Sequence, residues 1–500
     1  MNPRRWALLL VAGAALAATA SCSGSSAIGG PSAAIPGSPD GKGSTPISHV
    51  IVVIQENRSF DNFFATFPGA DGTTTGRGAP MPQGVATACK NNGMPVISQS
   101  SPTVTLTKVS LIGAGFPKNF GEGDDLPHIY LNPNDSSQGF LAQYDGGKMD
   151  GFDLEKSGPD GEGSPLCTYA YQYVDPQEIQ PYWDMAQQYV LADHMFQTQG
   201  SGTFTAHQDL IAGATALSYG SSQASVVDNP TWFPWGCDSL SSTVTSLLTT
   251  NLKYLDDKGP RPCYDYATLR DLLDAKQVSW KYYAQRVQGP NGPQHGDTAG
   301  VWSAFDAIRA VRYSDEWGKN VTFSDLNIFK DIKSGNLPAV SWITPDAQNS
   351  DHPQEHQHGK LVDFGPSWVA SIVNAVGQSK YWKSSAIVIL WDDWGGFYDH
   401  ESPPFFDNAG GLGFRVPMIV VSPYVKPHVE STQYEFGSIL HFIEDNWKLG
   451  SLGTTDARST PITNAFNFNQ KPRPFKVIGS PQSREFFLRQ KPSGFAPDRE

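Results

Sequence analysis

Short apolar runs rich in β-branched residues recur along the chain and predict buried strands. Most of them lack the polar/apolar alternation of a sheet with one solvent-facing side, so both faces of the sheet are expected to be covered. The runs are Val50–Gln55, Tyr189–Ala192, Val278–Tyr283, Val340–Thr344, Ala386–Trp391 and Pro417–Val421.

Amphipathic segments lie between these runs, with apolar residues at helical spacing. They are Tyr266–Lys276, Ser367–Val376 and Ser438–Trp447. Strands interleaved with helices predict an α/β fold, a three-layer αβα sandwich with a mostly parallel central sheet. Residues 68–180 are rich in Gly and Pro and weakly periodic. They are expected to be long loop insertions rather than an independent domain.

The first residues are typical of an export signal. A basic start (Met1–Arg5) precedes an apolar stretch (Trp6–Ala20) that is short for a membrane span. The arginine pair Arg4-Arg5 leaves general and twin-arginine export both open. Cys22 is a candidate lipid anchor, which would allow membrane association through an N-terminal lipid. The expected location is periplasmic, cell-surface or extracellular.

Four segments follow from this organisation. We expect the export signal to occupy residues 1–22 and a flexible tether, rich in Ser, Gly, Pro and Ala, to occupy residues 23–47. A single domain with insertions would span 48–450, and a C-terminal extension, 451–500, would pack on it.

Composition adds a constraint on partners. The 500 residues include 39% hydrophobic residues, enough for a substantial core, and carry a formal charge of −13. Such an acidic chain is not expected to bind nucleic acid or to be steered to anionic lipid. A site that handles phosphate stays possible, because a metal ion inverts the local field. The sequence does not indicate an oligomeric state.

Four cysteines remain once Cys22 is set aside: Cys89, Cys167, Cys237 and Cys263. An even number in an exported protein predicts two disulfides, with buried free thiols as the alternative. The pairing Cys237–Cys263 closes the shortest loop among adjacent choices, but the connectivity is left open. A zinc site is not expected, because no Cys-x-x-Cys spacing occurs.

The first apolar run ends in a dense polar cluster, and a later run repeats the arrangement. Glu56 and Asn57 follow Gln55, and Asp392 and Asp393 follow Trp391. Ligands of open α/β sheets collect beyond the carboxyl ends of strands. Adjacent carboxylates repel each other there unless something neutralises them, and a divalent cation does so directly. The pair of clusters therefore predicts a metal site; the alternative is a solvated acidic turn.

A small-residue turn, Gly200-Ser-Gly-Thr203, precedes a segment with the character of a helix. A hydroxyl at a helix N-terminus lies where backbone N–H groups stabilise an anion. Ser201 and Thr203 are thus candidate nucleophiles. The alternative is that Thr203 only caps the helix.

Several histidines complete the set of candidates: His128, His207, His352 and His400. His352 follows the end of a predicted strand by a short loop, as the acidic clusters do. Because the strongest clusters are rich in oxygen, we expect one divalent ion, with Mg²⁺, Ca²⁺, Mn²⁺ or Fe²⁺ favoured over Zn²⁺.

Together these motifs resemble the phosphoesterase family of bacterial phospholipases C and acid phosphatases, within the wider alkaline-phosphatase-like fold. The resemblance runs in family order over roughly residues 48–450. The matching stretches are ENRSFDNFFATFPGADG (56–72), DLPHIY, GGKMDGF (146–152), GSGTFTAHQ, SDHP (350–353), WDDWGGFYDHESPP and GFRVPMIVVSPYVKP (413–427).

The resemblance implies a role for each candidate residue. Thr203 would be the nucleophile, and His128 and His352 would contact the phosphoryl oxygens or protonate the leaving group. Asn57, His207 and His400 are expected at the substrate. The implied metal ligands are Glu56, Asn57, Asp392 and Asp393.

Two departures from the family pattern put a lipid substrate in doubt. Thr203-Phe-Thr-Ala-His207 stands where phospholipase members often have Thr-x-Pro-Asn-Arg, and Asp392-Asp393 replaces the commoner Asp-Glu. The resulting hypothesis is an exported metal-dependent phosphoester hydrolase acting through a phospho-enzyme, most simply an acid-phosphatase-like phosphomonoesterase.

Three alternatives remain. A phospholipase C would use the aromatic stretch Asn229–Leu240 as an apolar lip, although such a segment more often packs under a disulfide. A sulfatase or phosphonate hydrolase is a weaker alternative, because the sulfatase signature Cys-x-Pro-x-Arg is absent. From another class, a surface lipoprotein with a degenerate site would serve as a binding module.

Overall fold

The computed structural model describes residues 43–91, 93–100, 102–111, 134–156, 165–219, 222–230, 234–285, 300–353, 356–357, 360–361, 364–404 and 411–493. The expected export signal, the lipid-anchor candidate Cys22 and most of the expected tether lie outside this part of the chain.

An eight-stranded sheet forms the centre of the fold, and it contains all six predicted strands. In chain order its strands are β1 (His49–Gln55), β2 (Val190–Ala192), β3 (Trp280–Ala284), β4 (Val321–Phe323), β5 (Val340–Ile343), β6 (Ser385–Trp391), β7 (Met418–Val421) and β8 (His428–Glu430). Their order across the sheet is β4-β3-β5-β1-β6-β7-β2-β8, and only β7 runs antiparallel to its neighbours. The mostly parallel sheet of the sequence prediction is confirmed.

Helices pack in two groups. Gln180–Gln188, Asn327–Ser334 and Arg484–Arg489 contact the long helix Gly365–Gly377, and Thr203–Ala212 contacts Leu269–Ala275 and Phe436–Trp447. Every residue of β5 and β6 is buried, as a sheet with both faces covered requires. The three predicted helices are present, with ends shifted by at most three residues.

The sequence pattern did not predict the two outermost strands of the sheet, Val321–Phe323 and His428–Glu430. Each has three residues, and only one of these six, Val321, is fully buried. So short and half-exposed a strand carries no distinctive hydrophobic pattern.

The insertions form small structures of their own. An antiparallel sheet joins Ala216–Tyr219, Ser222–Val226, Leu247–Thr249 and Tyr254–Leu255. Three two-stranded pairs are Thr75–Arg77 with Thr103–Thr105, Thr107–Val109 with Gln172–Val174, and His356–Gln357 with Lys360–Leu361. Further helices are Phe60–Phe64, Gln83–Asn91, Ser137–Tyr144, Arg309–Arg312 and Thr455–Arg458.

Two disulfides cross-link the insertions. Cys89 pairs with Cys167, and Cys237 pairs with Cys263. The prediction of two disulfides is confirmed. The sequence left the connectivity open, and in the structure each disulfide joins two cysteines that are consecutive among the four.

The C-terminal residues lie against the helices. Phe475 contacts Trp382, with ring centroids 4.9 Å apart, and Phe486 contacts Phe364 at 5.0 Å. Among the described residues, none of the helices has the length and apolar character needed to cross a membrane.

Candidate active site

The register of the two central strands brings the two acidic clusters together. β1 and β6 pair in parallel from His49 with Ser385 to Gln55 with Trp391. The next residues, Glu56 and Asp392, therefore leave the sheet side by side. The N–H of Asp392 still donates to the carbonyl of Gln55 at 2.9 Å.

Asn57 takes a left-handed conformation immediately after the strand, with φ 58°. Its N–H donates to Asp392 Oδ1 at 3.1 Å, and its side-chain amide donates to Asp135 Oδ2 at 2.6 Å. Gly395 approaches from the other cluster so closely that an added Cβ would lie 2.3 Å from the Asn57 carbonyl oxygen. The glycine is thus required for the two loops to meet.

Thr203 is the first residue of the helix Thr203–Ala212 and is buried. Its hydroxyl donates to Asp393 Oδ2 at 3.3 Å, while Asp393 Oδ1 accepts the N–H of Gly395 at 2.7 Å. The structure therefore brings the predicted nucleophile into contact with a predicted metal ligand. Gly202 is the N-cap of this helix, so the capping role considered for Thr203 falls to its neighbour.

His207, expected at the substrate, lies among the predicted metal ligands. Its Nε2 is 3.1 Å from Glu56 Oε1 and 3.6 Å from Asp392 Oδ2, and all three side chains are fully buried. The ligand atoms of Glu56, His207 and Asp392 lie within 4.8 Å of one another. Burial raises the pKa of Asp392 and lowers the pKa of His207 to about 3.

These residues fit a bound cation. Asn57 Oδ1 and Asp392 Oδ2 are buried and accept no hydrogen bond from the described part of the chain. Buried acceptors normally find a partner, and a divalent ion coordinated by oxygen atoms satisfies both. It would also neutralise the buried carboxylates of Glu56, Asp392 and Asp393.

His352 lies on a loop that several buried groups hold in place. The neighbouring Asp351 accepts hydrogen bonds from Tyr182 at 2.7 Å and Trp391 at 2.9 Å, and its N–H donates to Gln55 at 2.9 Å. Burial, with a smaller contribution from the charge of Arg58, lowers the pKa of His352 to about 3. His128 lies outside the described residues.

His400 belongs to a different network. Its Nδ1 is 2.7 Å from Asp61 Oδ2 and 3.2 Å from Arg415. Arg415 is fully buried and donates two hydrogen bonds to Asp399, at 2.8 and 3.2 Å. The structure does not bring His400 into the cluster of Glu56, His207 and Asp392.

The His400 network predicts a pH-dependent contribution to stability. Burial alone would lower the pKa of His400, but the hydrogen bond and charge of Asp61, with the charge of Asp399, raise it from 6.5 to about 9. A raised pKa in the folded state stabilises the fold fully below pH 6.5, and this contribution disappears as the pH rises through 9. Urea unfolding of the wild type and His400→Gln should show a stability difference that shrinks across this window. A difference independent of pH would contradict the prediction.

Three residues of the two networks carry no signal in the sequence pattern. Asp135 lies in an irregular insertion. Tyr282, whose hydroxyl oxygen is 3.4 Å from His207 Nδ1, has only the pattern of a strand residue. Arg415 is an isolated arginine before an apolar run. The resemblance could have drawn attention to Arg415, because it stands in the matched stretch GFRVP.

Fold and site together define a class: a mostly parallel α/β protein with a buried threonine hydroxyl beside a cluster of candidate metal ligands at the carboxyl edge of its sheet. The profile of the Phosphoesterase family matches residues 47–450. The chain belongs to this family.

Curated relatives include several named phospholipases C. The non-hemolytic phospholipase C of Burkholderia pseudomallei is 24% identical over 491 residues, covering 85% of this chain and 59% of the relative. Phospholipase C A and phospholipase C B of Mycobacterium tuberculosis are 24% and 26% identical, each over 86% of this chain and 78% and 80% of their own lengths. The chain thus spans about three fifths of the Burkholderia relative.

Proposed function

We propose that the protein is an exported, metal-dependent phosphoester hydrolase in which Thr203 is the nucleophile. The observation that carries the proposal is the 3.3 Å hydrogen bond from the Thr203 hydroxyl to Asp393 Oδ2, beside the cluster of Glu56, His207 and Asp392. A hydroxyl held by a carboxylate at a helix N-terminus combines a proton acceptor with a site that stabilises an anion.

In the first step the Thr203 oxygen attacks phosphorus and its proton passes to Asp393. The bond from phosphorus to the leaving-group oxygen breaks, and that oxygen takes up a proton. His352, which burial keeps neutral, is the proposed N–H donor of a hydrogen bond to the phosphoryl oxygens, and His128 is proposed to do the same or to protonate the leaving group. The product of this step is a phosphothreonine.

In the second step a water molecule attacks the same phosphorus, its proton passes to the residue that protonated the leaving group, and the bond to Thr203 breaks. Asp393 returns its proton to the Thr203 oxygen, and phosphate or a phosphorylated head group leaves. When bound, a divalent cation at Glu56, Asn57, Asp392 and Asp393 would lower the pKa of the attacking hydroxyl and offset charge on the phosphoryl oxygens.

A phosphomonoester is the proposed substrate. In the aromatic stretch Asn229–Leu240, Trp235 is buried in an apolar cluster with Phe204, and Cys237 is buried in its disulfide. These two side chains are packed inward, and Leu240 is the large apolar side chain that the described part of the stretch exposes. The second candidate is phospholipase C activity, which the names of the relatives favour. Binding without catalysis, as a lipoprotein anchored at Cys22, is the remaining alternative.

A paired assay tests the proposal. The purified protein, assayed with p-nitrophenyl phosphate and with phosphatidylcholine vesicles, should hydrolyse the monoester with the higher kcat/KM, and chelation by EDTA should abolish the activity. Higher kcat/KM on the vesicles would select the phospholipase. A protein that holds no stoichiometric cation and hydrolyses neither substrate would support the binding module.

A further inference from the structure

The helical spacing of Thr203 and His207 directs both side chains at the same acidic cluster. Thr203 and His207 are four residues apart in the helix Thr203–Ala212, so they lie one turn apart on one face. The face is directed at the carboxyl ends of β1 and β6, where Glu56 Oε1 is 3.1 Å and Asp392 Oδ2 is 3.6 Å from His207 Nε2.

The other ring nitrogen of His207 contacts Tyr282. The Tyr282 hydroxyl has one proton, and it donates that proton to the Trp302 carbonyl oxygen at 2.5 Å. Nδ1 of His207 lies 3.4 Å from the Tyr282 oxygen. Because the phenol proton is already used, this contact is a hydrogen bond only in the tautomer whose Nδ1 carries the proton and donates it. In that tautomer the Nε2 lone pair is directed at the carboxylates.

A lone pair directed at two carboxylate oxygens is repulsive unless a cation lies between them. Two ligand atoms each about 2.1 Å from one ion are separated by about 3.0 Å at a right angle and about 3.4 Å at the tetrahedral angle. The distances of 3.1 and 3.6 Å are close to this range. A ligating histidine also characteristically donates its second N–H to a neighbouring acceptor, the role that Tyr282 has here.

We propose that His207 binds the metal ion through Nε2, with Tyr282 as the residue that positions the imidazole. The proposal rests on the proposed function and deepens it, since a nitrogen ligand beside two carboxylates favours Mn²⁺, Fe²⁺ or Zn²⁺ over Mg²⁺ and Ca²⁺. The proposal replaces the expected substrate-binding role of His207 with a metal-binding role, and it adds Zn²⁺ to the preferred ions.

The test is spectroscopic and does not depend on turnover. The metal-free full-length protein is reloaded with Mn²⁺, and electron spin echo modulation is recorded. The wild type should show the coupling of an imidazole nitrogen, altered by ¹⁵N-histidine labelling. His207→Gln should lose the coupling, whereas His352→Gln should keep it.

Affinities for Zn²⁺, Mn²⁺ and Mg²⁺ provide the second measurement. His207→Gln should weaken Zn²⁺ and Mn²⁺ at least tenfold while changing Mg²⁺ much less, and Tyr282→Phe should keep the nitrogen coupling but weaken Zn²⁺ roughly tenfold. His441→Gln is the matched control, because His441 contacts the Ser459 carbonyl oxygen at 2.8 Å away from the site, and its affinities should equal those of the wild type.

The outcomes separate this inference from the proposed function. Stoichiometric Mn²⁺ without nitrogen coupling in the wild type, or coupling that persists in His207→Gln, overturns the ligand assignment and leaves the metal-dependent hydrolase intact. A wild type that binds none of the three ions overturns both. Should His207→Gln fail to fold, the labelled wild type and Tyr282→Phe still decide the question.

Discussion

Thr203→Ala is expected to lower kcat on p-nitrophenyl phosphate by roughly three to six orders of magnitude, as loss of a nucleophile does in other covalent catalysts. The variant has no oxygen to bond to phosphorus, and only substrate positioning and charge stabilisation remain. The phosphothreonine trapped by acid quench in the wild type should also be absent from the variant, which mass spectrometry of the peptide containing residue 203 would show.

Two neighbouring substitutions make the test specific. Thr203→Ser keeps the hydroxyl and should retain turnover within roughly tenfold, because the same bond can form. Thr205→Ala lies two residues further along the helix, where the hydroxyl donates to the Val226 carbonyl oxygen at 3.2 Å, and should change stability more than turnover. Near-normal turnover of Thr203→Ala would show that another group attacks phosphorus.

Arg415→Met is expected to lower the free energy of unfolding by about 3–5 kcal/mol. Arg415 is fully buried, donates two hydrogen bonds to Asp399 and lies 3.6 Å from Asp61, both buried carboxylates. Removing the guanidinium leaves these carboxylates without their principal counter-charge. It also removes hydrogen bonds to the backbone carbonyl oxygens of Asp71 and Asp193 at 2.8 and 2.9 Å. Urea unfolding at neutral pH, followed by tryptophan fluorescence, measures the loss.

The matched control is Arg484→Met. Arg484 pairs with Glu485 at 3.1 Å, and both side chains are exposed, so the change should stay within about 0.5 kcal/mol. Burial raises the pKa of Asp61, so the penalty of Arg415→Met should also diminish at acidic pH, where protonated Asp61 no longer needs a counter-charge. An unfolding free energy equal to that of the wild type would show that the network contributes nothing net.

The strands β1 and β6 show how much of the site can be predicted from the sequence. The runs Val50–Gln55 and Ala386–Trp391 are readable as buried strands because burial on both faces demands continuous apolar side chains. Polar residues directly after each run then mark the carboxyl edge. That Glu56 and Asp392 are adjacent depends on the pairing of Gln55 with Trp391, which neither run specifies alone.

The histidines show what cannot be predicted from the sequence. His207 and His400 stand in equally polar stretches of sequence, and nothing local separates a residue of the metal cluster from one in an ionic network. Their environments come from residues far away in the chain: His207 meets Glu56 across 151 positions, and His400 meets Asp61 across 339. Contacts of that separation depend on chain topology rather than on local pattern.

The sequence by itself determined the α/β class, the order of the principal strands and helices, the two acidic strand ends and the threonine at a helix start, because hydrophobic periodicity and turn chemistry are local properties. Only the tertiary structure decided which polar residues share a site. It placed His207 against Glu56 and Asp392, gave Asn57 its partner Asp135, and buried Arg415 between Asp61 and Asp399. Charge neutralisation and metal coordination act between residues that are distant in the chain and close in the fold. Which residues form the site is therefore decided only by the tertiary packing.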